Sequence, residues 1–296
     1  MKIYIEYNIT GDPHGGGNQF LRSLKGELER KQLYVDSPLK ADIILFNSHQ
    51  NCDKILQLKS VFANKKFVHR VDGPIRLYNN ETDTRDDVVY NLNNSVADAT
   101  IFQGAWSKEN NIRMGMTPKI PTAIIQNSVD KSIFYPPSSP ANNKKVRLIS
   151  ASFSPNYKKG HKFYQYLDEN LDFNKYEYVF AGQSPVNYKN ISLLGCLNSH
   201  DLAQNLRESD LYITASENDP CSNSLLEAIA VGIGVLALNS GGHPELVKTK
   251  DHLFDDEFEL LTKILSMEEF NNNIERTTIE EVANKYVSFF ESIIAQ

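Results

Sequence analysis

The chain has 296 residues, of which 41% are hydrophobic and 23% are charged, which suits one large globular domain or two ordinary ones. Its formal net charge of −6 argues against general nucleic-acid binding. The three scattered cysteines exclude a disulfide framework and a cysteine zinc site. No apolar run approaches the roughly eighteen residues of a membrane-spanning helix. Residues 1–7 alternate like a strand and lack the apolar block of a signal peptide, so a cytoplasmic protein is expected.

The charge is unevenly distributed along the chain. Residues 1–140 carry 17 Lys+Arg and 15 Asp+Glu, which leaves 14 and 22 of the totals of 31 and 37 for the remainder. A mildly basic first part could contact an anionic acceptor, or the inner face of a membrane as a weak peripheral contact. Ordinary solvated surface is the alternative interpretation of such a modest asymmetry.

Short apolar runs alternate with longer amphipathic stretches. Strands are predicted at 2–7, 41–47, 66–71, 99–103, 122–126, 146–152, 176–181, 191–194, 211–215 and 234–239. Helices are predicted at 17–31, 50–62, 83–96, 160–170, 199–208, 222–231, 256–266 and 278–294. This alternation predicts an α/β fold in which parallel strands are joined by crossover helices.

The predicted strands divide into two sheets at residues 135–145, a polar, proline-rich stretch that cannot form a packed element. We therefore expect two doubly wound, Rossmann-like domains, an N-terminal one at 1–138 and a C-terminal one at 139–277. The final helix, within 278–296, is expected to pack back toward the first domain. Ligands of open parallel sheets bind beyond the carboxyl ends of the strands, so the two domains are expected to face a cleft.

Two junctions between a predicted strand and a predicted helix have the composition of anion-binding loops. The first carries Gly15, Gly16 and Gly17, where backbone N–H groups and the following helix N-terminus can approach an anion. A plain turn is the alternative. The second carries Lys159 beside Gly160, and a lysine there can meet a phosphate as a point charge. A solvated loop lysine is the alternative.

A third junction follows the strand at 211–215. Pro220 and Ser222 indicate a helix start, and Glu227 then lies in mid-helix among leucine and isoleucine side chains. A carboxylate in apolar surroundings is costly unless it is hydrogen-bonded, and the paired hydroxyls of a ribose would satisfy both of its oxygens. The alternative is a partly exposed glutamate that interacts with the helix dipole.

A fourth polar cluster lies at the carboxyl end of the strand at 66–71. His69 and Asp72 are its candidates for contacting a sugar or an acceptor, and the sequence does not choose between them. A structural turn is the alternative interpretation.

Together and in order, these segments resemble glycosyltransferase family 4. The strongest part is Asp219 through Glu227 with the downstream Gly241-Gly242 and Pro244-Glu245-Leu246-Val247, which is similar to the family's acid–seven residues–Glu segment and its Gly-Gly-x-Pro-Glu-x-Val ending. Residues 127–136 are similar to the family's Asn-Gly-Val-Asp-x-x-x-Phe-x-Pro. Lys159-Gly160 and Gly15-Gly16 match its Lys-Gly pair and its first glycine loop.

The resemblance implies a GT-B fold and a retaining, metal-independent glycosyltransferase that uses a UDP- or GDP-sugar donor as substrate, without a further cofactor. It implies that Glu227 holds the donor ribose, that Asp219 lies near the donor sugar's hydroxyls and that Lys159 neutralises the leaving diphosphate. The acceptor would be a glycan, a glycolipid or another hydroxyl compound, as in polysaccharide biosynthesis. The remaining donor contacts that it implies are Gly15, Gly16, Gly17, Ser154, Ser222, Asn223 and Ser224.

The sequence also departs from the family pattern. Ser154 stands where the family usually has an arginine, so stabilisation of the diphosphate depends more heavily on Lys159. Pro220-Cys221-Ser222 replaces the common Gly-Phe-Gly, so donor-sugar selectivity does not carry over. No Asp-x-Asp run suggests a metal site. The alternatives are a GT-B sugar-nucleotide epimerase and a non-catalytic relative that binds sugar nucleotides.

Overall fold

A computed structural model describes residues 1–11, 16–139, 144–269 and 271–295. Their contacts divide the chain into two compact units. The first comprises Met1–Ile9, Phe20–Ser128 and Thr277–Gln296, and the second comprises Thr10–Gln19 and Val129–Arg276. The predicted linker at 135–145 lies partly outside the described residues, at 140–143. Within the described ranges, no helix is long and apolar enough to cross a membrane.

The first unit is built on five parallel strands in the order β1-β2-β3-β4-β5. These are β1 (Ile3–Glu6), β2 (Ile43–Asn47), β3 (Lys66–Val71), β4 (Ala99–Phe102) and β5 (Thr122–Ile124). The helices between them are α1 (Gly16–Arg30), α2 (Cys52–Val61), α3 (Ile75–Tyr78), α4 (Arg85–Val96) and α5 (Ala105–Arg113). All five residues of β2 are buried, which is typical of a central strand that is covered on both faces.

The second unit is built on six parallel strands in the order β11-β10-β9-β6-β7-β8. These are β6 (Val146–Ser152), β7 (Tyr176–Gly182), β8 (Ser192–Gly195), β9 (Leu211–Thr214), β10 (Gly234–Leu238) and β11 (Leu253–Phe254). The helices are α6 (His161–Asn170), α7 (Ser199–Arg207), α8 (Asn223–Val231), α9 (His243–Val247) and α10 (Glu257–Ser266). Apolar residues of α7, α8 and α9 cover one face of this sheet, and those of α6 and α10 cover the other.

The last helix, α11 (Ile279–Ile294), lies in the first unit. Its start is fixed by a capping box in which the Thr278 hydroxyl accepts from the Glu281 N–H at 3.2 Å and the Glu281 carboxylate accepts from the Thr278 N–H at 2.7 Å. Tyr286 and Phe290 are fully buried and join a core with apolar residues of β1 and α1. Helices cover both faces of this sheet as well, since α2 and α4 pack on the side opposite α1. The predicted α/β fold with two parallel sheets is confirmed.

Candidate functional site

The second sheet reverses its strand order at the pair β6 and β9. From β6 the chain adds β7 and β8 on one side, and β9, β10 and β11 extend the sheet on the other. In open parallel sheets, ligands bind beyond the carboxyl ends of the strands at such a reversal. The loops that leave these strands, 153–160 and 215–222, hold Lys159 and Asp219.

The loop after β6 is shaped by a capping asparagine and a glycine. The Asn156 side chain accepts from the Lys158 N–H at 3.0 Å and so begins a short 3₁₀ turn, Tyr157–Lys159. Gly160 ends this turn at φ +97°, where a Cβ would lie 2.6 Å from the Cβ of Ala215. A glycine is therefore required at this close approach, which brings the loop directly against the end of β9.

Lys159 and Asp219 form an ion pair between these two loops. The Lys159 Nζ lies 3.1 Å from the Asp219 Oδ2, and the two side chains are 22% and 16% exposed. The Asp219 Oδ1 also accepts from the Cys221 N–H at 3.2 Å. Burial raises the pKa of Asp219, but Lys159, His243 and the Cys221 N–H together outweigh it and bring this pKa below its ordinary value. Asp219 is thus an anion at neutral pH, with Lys159 as its counter-ion.

The glycine pair Gly241-Gly242 fixes the backbone of Asp219. The Gly242 N–H donates to the Asp219 carbonyl at 2.7 Å. A Cβ on Gly241 would lie 2.4 Å from that same oxygen, and one on Gly242 would lie 2.3 Å from the Pro220 carbonyl oxygen. Any side chain at either position would push the two loops apart, so the pair determines where the carboxylate sits.

The N-terminus of α8 lies at the same edge of the sheet. Ser222 is its N-cap, and the hydroxyl accepts from the Leu225 N–H at 3.4 Å. The Ser224 hydroxyl accepts from the Tyr212 hydroxyl at 2.7 Å. The first N–H groups of a helix are not used within it and attract negative charge. Ser222, Asn223 and Ser224 therefore surround an anion-attracting helix end.

Gly16, the first residue of α1, approaches this helix end. A Cβ on Gly16 would lie 2.1 Å from the Asn223 Nδ2, so the bare backbone at Gly16 contacts the Asn223 side chain. Gln19 donates to the Ser199 hydroxyl at 2.8 Å in the same unit. Gly17 follows within α1, whereas Gly15 lies outside the described residues.

Glu227 projects from α8 and is only 6% exposed. Its neighbours on the helix, Leu225 and Ala228, are fully buried. Burial is the main cause that raises the pKa of Tyr212, and the Glu227 carboxylate adds to it, which indicates that its negative charge lies near that ring. The predicted apolar setting of this carboxylate is therefore present.

Ser154 lies in the loop after β6 and is half-buried. Its hydroxyl accepts from the Asn156 N–H at 3.3 Å, and its carbonyl accepts from the Ser152 hydroxyl at 2.9 Å. These bonds shape the loop that carries Lys159. Ser154 is thus a turn residue of that loop.

His69 lies in the core of the first unit, which corrects the prediction that it contacts a sugar or an acceptor. The side chain has no exposed surface, its Nε2 bonds the Ser48 carbonyl at 2.9 Å, and its Nδ1 accepts from Asn93 at 3.2 Å. The ring stacks on Phe46 at 4.3 Å between centroids. Burial lowers the pKa of His69 to about 3, so the ring is neutral. Both nitrogens are occupied, and no surface is left for a substrate.

Asp72 is the partly exposed member of the predicted pair. Its Oδ1 accepts from the Arg70 Nη1 at 3.0 Å and from Gln103. Arg70 is fully buried and donates through Nη2 to Asn127 at 2.7 Å. The Asp72 carboxylate, 23% exposed, is thus held in place at the carboxyl end of β3.

The sequence analysis did not single out His243, which begins α9 directly after the glycine pair. Burial lowers the pKa of His243, the Asp219 carboxylate raises it and the Lys159 ammonium lowers it. The position of His243 inside the Gly-Gly-x-Pro-Glu segment is the signal that could have identified it. Among the described residues, no three His, Cys, Asp or Glu side chains come together as metal ligands.

Comparison with known proteins gives one family and several structures. Residues 134–281, half of the chain, match the model of the family described as glycosyl transferases group 1. No curated protein sequence matches the chain. Among solved structures, sucrose-phosphate synthase from Thermosynechococcus elongatus is 14% identical with a TM-score of 0.76, and the match covers 99% of both chains.

Two further structures share this fold. Anabaena HepE in complex with UDP and glucose is 15% identical with a TM-score of 0.72, over 99% of this chain and 100% of that one. The α,α-trehalose 6-phosphate synthase from Burkholderia multivorans is 11% identical with a TM-score of 0.62, over 96% and 78%. Such identities show likeness of fold, and the fold is GT-B. With half of its length matching the family model, the chain belongs to the group 1 glycosyltransferases.

Proposed function

We propose that this glycosyltransferase is a retaining, metal-independent enzyme of family 4 that transfers a sugar from UDP-sugar to a hydroxyl group of a glycan or glycolipid. The observation that carries the proposal is the Lys159–Asp219 ion pair at the strand-order reversal of the second sheet. A cation, a sugar-binding carboxylate and a helix N-terminus at one sheet edge are what a nucleotide-diphosphate sugar requires.

Each part of the donor has a matching group. The diphosphate binds the Lys159 ammonium and accepts hydrogen bonds from the N–H groups at the start of α8. The sugar hydroxyls donate to the Asp219 carboxylate. Glu227, buried on α8, accepts from the ribose hydroxyls, which offset the cost of its burial. UDP is favoured over GDP because Anabaena HepE, of the same fold, was solved with UDP and glucose.

The reaction breaks the bond between the sugar's anomeric carbon and the diphosphate oxygen and forms a bond from that carbon to the acceptor oxygen. The acceptor proton leaves with the diphosphate. Negative charge grows on the leaving diphosphate, so preorganised positive groups at that point lower the barrier, by about 3–4 kcal/mol for one good contact. Lys159 is such a group and takes the place of a divalent cation. The acceptor attacks from the face that the diphosphate leaves, so the anomeric configuration is kept.

Asp72 is the carboxylate that we propose for contacting the acceptor. Asp72 is held by Arg70 and Gln103 and keeps part of its surface exposed. A carboxylate fixed in this way accepts hydrogen bonds from a hydroxyl compound at little further cost in ordering. Asp72 is therefore the proposed acceptor contact.

Glu227→Gln tests the donor site. The amide has the same size but no charge, so it should weaken UDP-glucose binding by about 10- to 100-fold, the range for a hydrogen bond to a charged group. Isothermal titration calorimetry against UDP-glucose and GDP-glucose measures this loss and identifies the base. Glu208→Gln, an exposed change beside α7, is the matched control and should bind like the wild type. Unchanged affinity in Glu227→Gln would remove Glu227 from the donor site.

A further inference from the structure

His243 combines full burial with an unused nitrogen. The side chain has no exposed surface, and its Nδ1 bonds the Leu238 carbonyl at 2.9 Å. A carbonyl only accepts, so the proton of the neutral ring is on Nδ1. The Nε2 is buried and has no hydrogen-bond partner among the residues that the structure describes. Buried polar atoms are rarely left unpaired, so this nitrogen is the side of the ring that is open to a further partner.

The groups that face the ring come from three elements. Asp219, from the loop after β9, and Lys159, from the loop after β6, act on it electrostatically, and β10 supplies the Leu238 carbonyl. The Gly242 N–H, one residue before the ring, is bonded to the Asp219 carbonyl at 2.7 Å. His243 is therefore anchored beside the residue whose carboxylate is paired with Lys159.

The Lys159–Asp219 pair raises a problem for donor binding. Lys159 cannot neutralise a diphosphate fully while its Nζ is paired with the Asp219 carboxylate at 3.1 Å. If Lys159 turns to the diphosphate, a carboxylate that is 16% exposed loses its counter-ion. Such a carboxylate requires a new partner or a proton, because an unpaired charge in a desolvated position is strongly unfavourable.

We propose that His243 is a positioning residue for Asp219: when Lys159 turns to the donor diphosphate, the ring takes one proton from solvent and its Nε2–H holds the Asp219 carboxylate. The inference rests on the proposed donor site. The pKa of His243 supports it. Burial lowers this pKa, Asp219 raises it and Lys159 lowers it, so departure of Lys159 moves it upward. His243 thus keeps Asp219 ionised and in place for the sugar hydroxyls.

Two substitutions separate the roles of the two ring nitrogens. In His243→Asn the amide nitrogen takes the position of Nδ1 and keeps the bond to Leu238, but nothing remains at Nε2. In His243→Gln an amide reaches the position of Nε2, but it cannot take up a proton. We expect His243→Asn to bind UDP-glucose about ten-fold more weakly while uridine affinity is unchanged, because uridine has no diphosphate to draw Lys159 away from Asp219. His243→Gln should restore most of the UDP-glucose affinity.

Proton uptake is the readout that a merely structural role would not change. Titration of UDP-glucose at pH 7 in two buffers of different ionisation enthalpy should show uptake on the order of one proton by the wild type. Both His243 variants should show none. UDP-glucose suits this measurement because its diphosphate is a diester and does not titrate near pH 7. His252→Asn is the matched control, since His252 also bonds a β10 carbonyl, that of Val235, at 3.0 Å.

The outcomes distinguish this inference from the proposed function. Wild-type proton uptake in the His243 variants, or equal losses of uridine and UDP-glucose affinity in His243→Asn, would overturn the role of His243 alone. If instead Glu227→Gln and Lys159→Ala bind UDP-glucose like the wild type, the donor site is wrong and the His243 inference fails with it. Loss of uptake together with a selective loss of UDP-glucose affinity supports it.

Discussion

Lys159 and Asp219 belong to loops that leave β6 and β9, which are neighbours in the sheet although 60 positions separate the two residues. Each side chain is mostly buried, so each depends on the other for neutralisation. In the proposed reaction Lys159 leaves this partner for the diphosphate. Stabilisation of the leaving diphosphate thus depends mainly on one lysine, because Ser154 stands at the position where an arginine would have supplied a second positive charge.

Lys159→Ala should lower kcat by about 100-fold or more, because it removes one preorganised positive group from the leaving diphosphate. The rate of UDP release at saturating UDP-glucose measures this. Lys162→Ala is the matched control, since Lys162 is 61% exposed and pairs with Glu257 at 3.2 Å. It should react at the wild-type rate. A nearly wild-type kcat in Lys159→Ala would contradict the assignment.

His69 makes the first unit sensitive to acid. Its pKa is about 3 in the folded unit and near 6.5 in the unfolded chain. Between these values the unfolded chain binds a proton that the folded unit does not, so stability is full above pH 6.5 and falls as the pH drops. His69→Gln should reduce the loss of unfolding free energy between pH 7.5 and 5.5 by about 1.4 kcal/mol.

Urea unfolding at the two pH values measures this difference. The wild-type protein at the same two pH values is the reference for this difference. An unchanged pH dependence in His69→Gln would mean that the ring accepts a proton in the folded unit.

At the scale of elements, the strand–loop–helix junctions determine which side chains meet. Gly160 sits at φ +97° with Ala215 immediately beside it, so it fixes both the end of the Lys159 turn and its approach to β9. Gly115 has a similar φ of +101° with nothing within 4 Å of a Cβ. A side chain at Gly115 would therefore meet only the cost of a positive φ, whereas a side chain at Gly160 would meet that cost and a steric clash as well.

Gly160→Ala should destabilise the second unit by about 1–3 kcal/mol more than Gly115→Ala destabilises the first, because it adds overpacking to the cost of a positive φ. It should also weaken UDP-glucose binding, since the Lys159 turn must shift. Urea unfolding and calorimetry measure the two effects. Equal costs for the two glycines would show that the contact with Ala215 relaxes freely.

Several elements were not predicted from the sequence, and their composition explains why. Helix α5 buries Ser107, Asn110 and Asn111 and so shows no apolar periodicity. Asn111 donates to the Asp72 carbonyl at 2.9 Å, so polar contacts replace hydrophobic ones. Helices α3 and α9 have four and five residues and β11 has two, which are too few to establish a pattern.

At the scale of the whole molecule, the proposed reaction draws the positive charge for the diphosphate from the protein itself. The Lys159 ammonium and the N–H groups at the start of α8 lie at one sheet edge. We therefore propose that no divalent cation is required to balance the leaving group, and that same-face attack keeps the anomeric configuration.

Activity should therefore survive exhaustive chelation with EDTA, and proton NMR of the product should show the donor's anomeric configuration. Modest stimulation by magnesium agrees with this, because divalent ions bind the free diphosphate product. Complete loss of turnover on chelation, restored by a divalent metal alone, would contradict metal independence. An inverted anomeric signal would contradict retention.

The sequence by itself determined the α/β alternation, the two sheets, the loops that carry Lys159 and Asp219, and the helix that carries Glu227. These features follow from local periodicity, capping residues and glycines, which act over a few neighbouring positions. Only the tertiary structure decided that His69 is core, that Lys159 pairs with Asp219 and that the His243 Nε2 is unpaired. Burial and pairing depend on which strands become neighbours, and the reversal at β6 and β9 is a property of the folded sheet that no local pattern encodes.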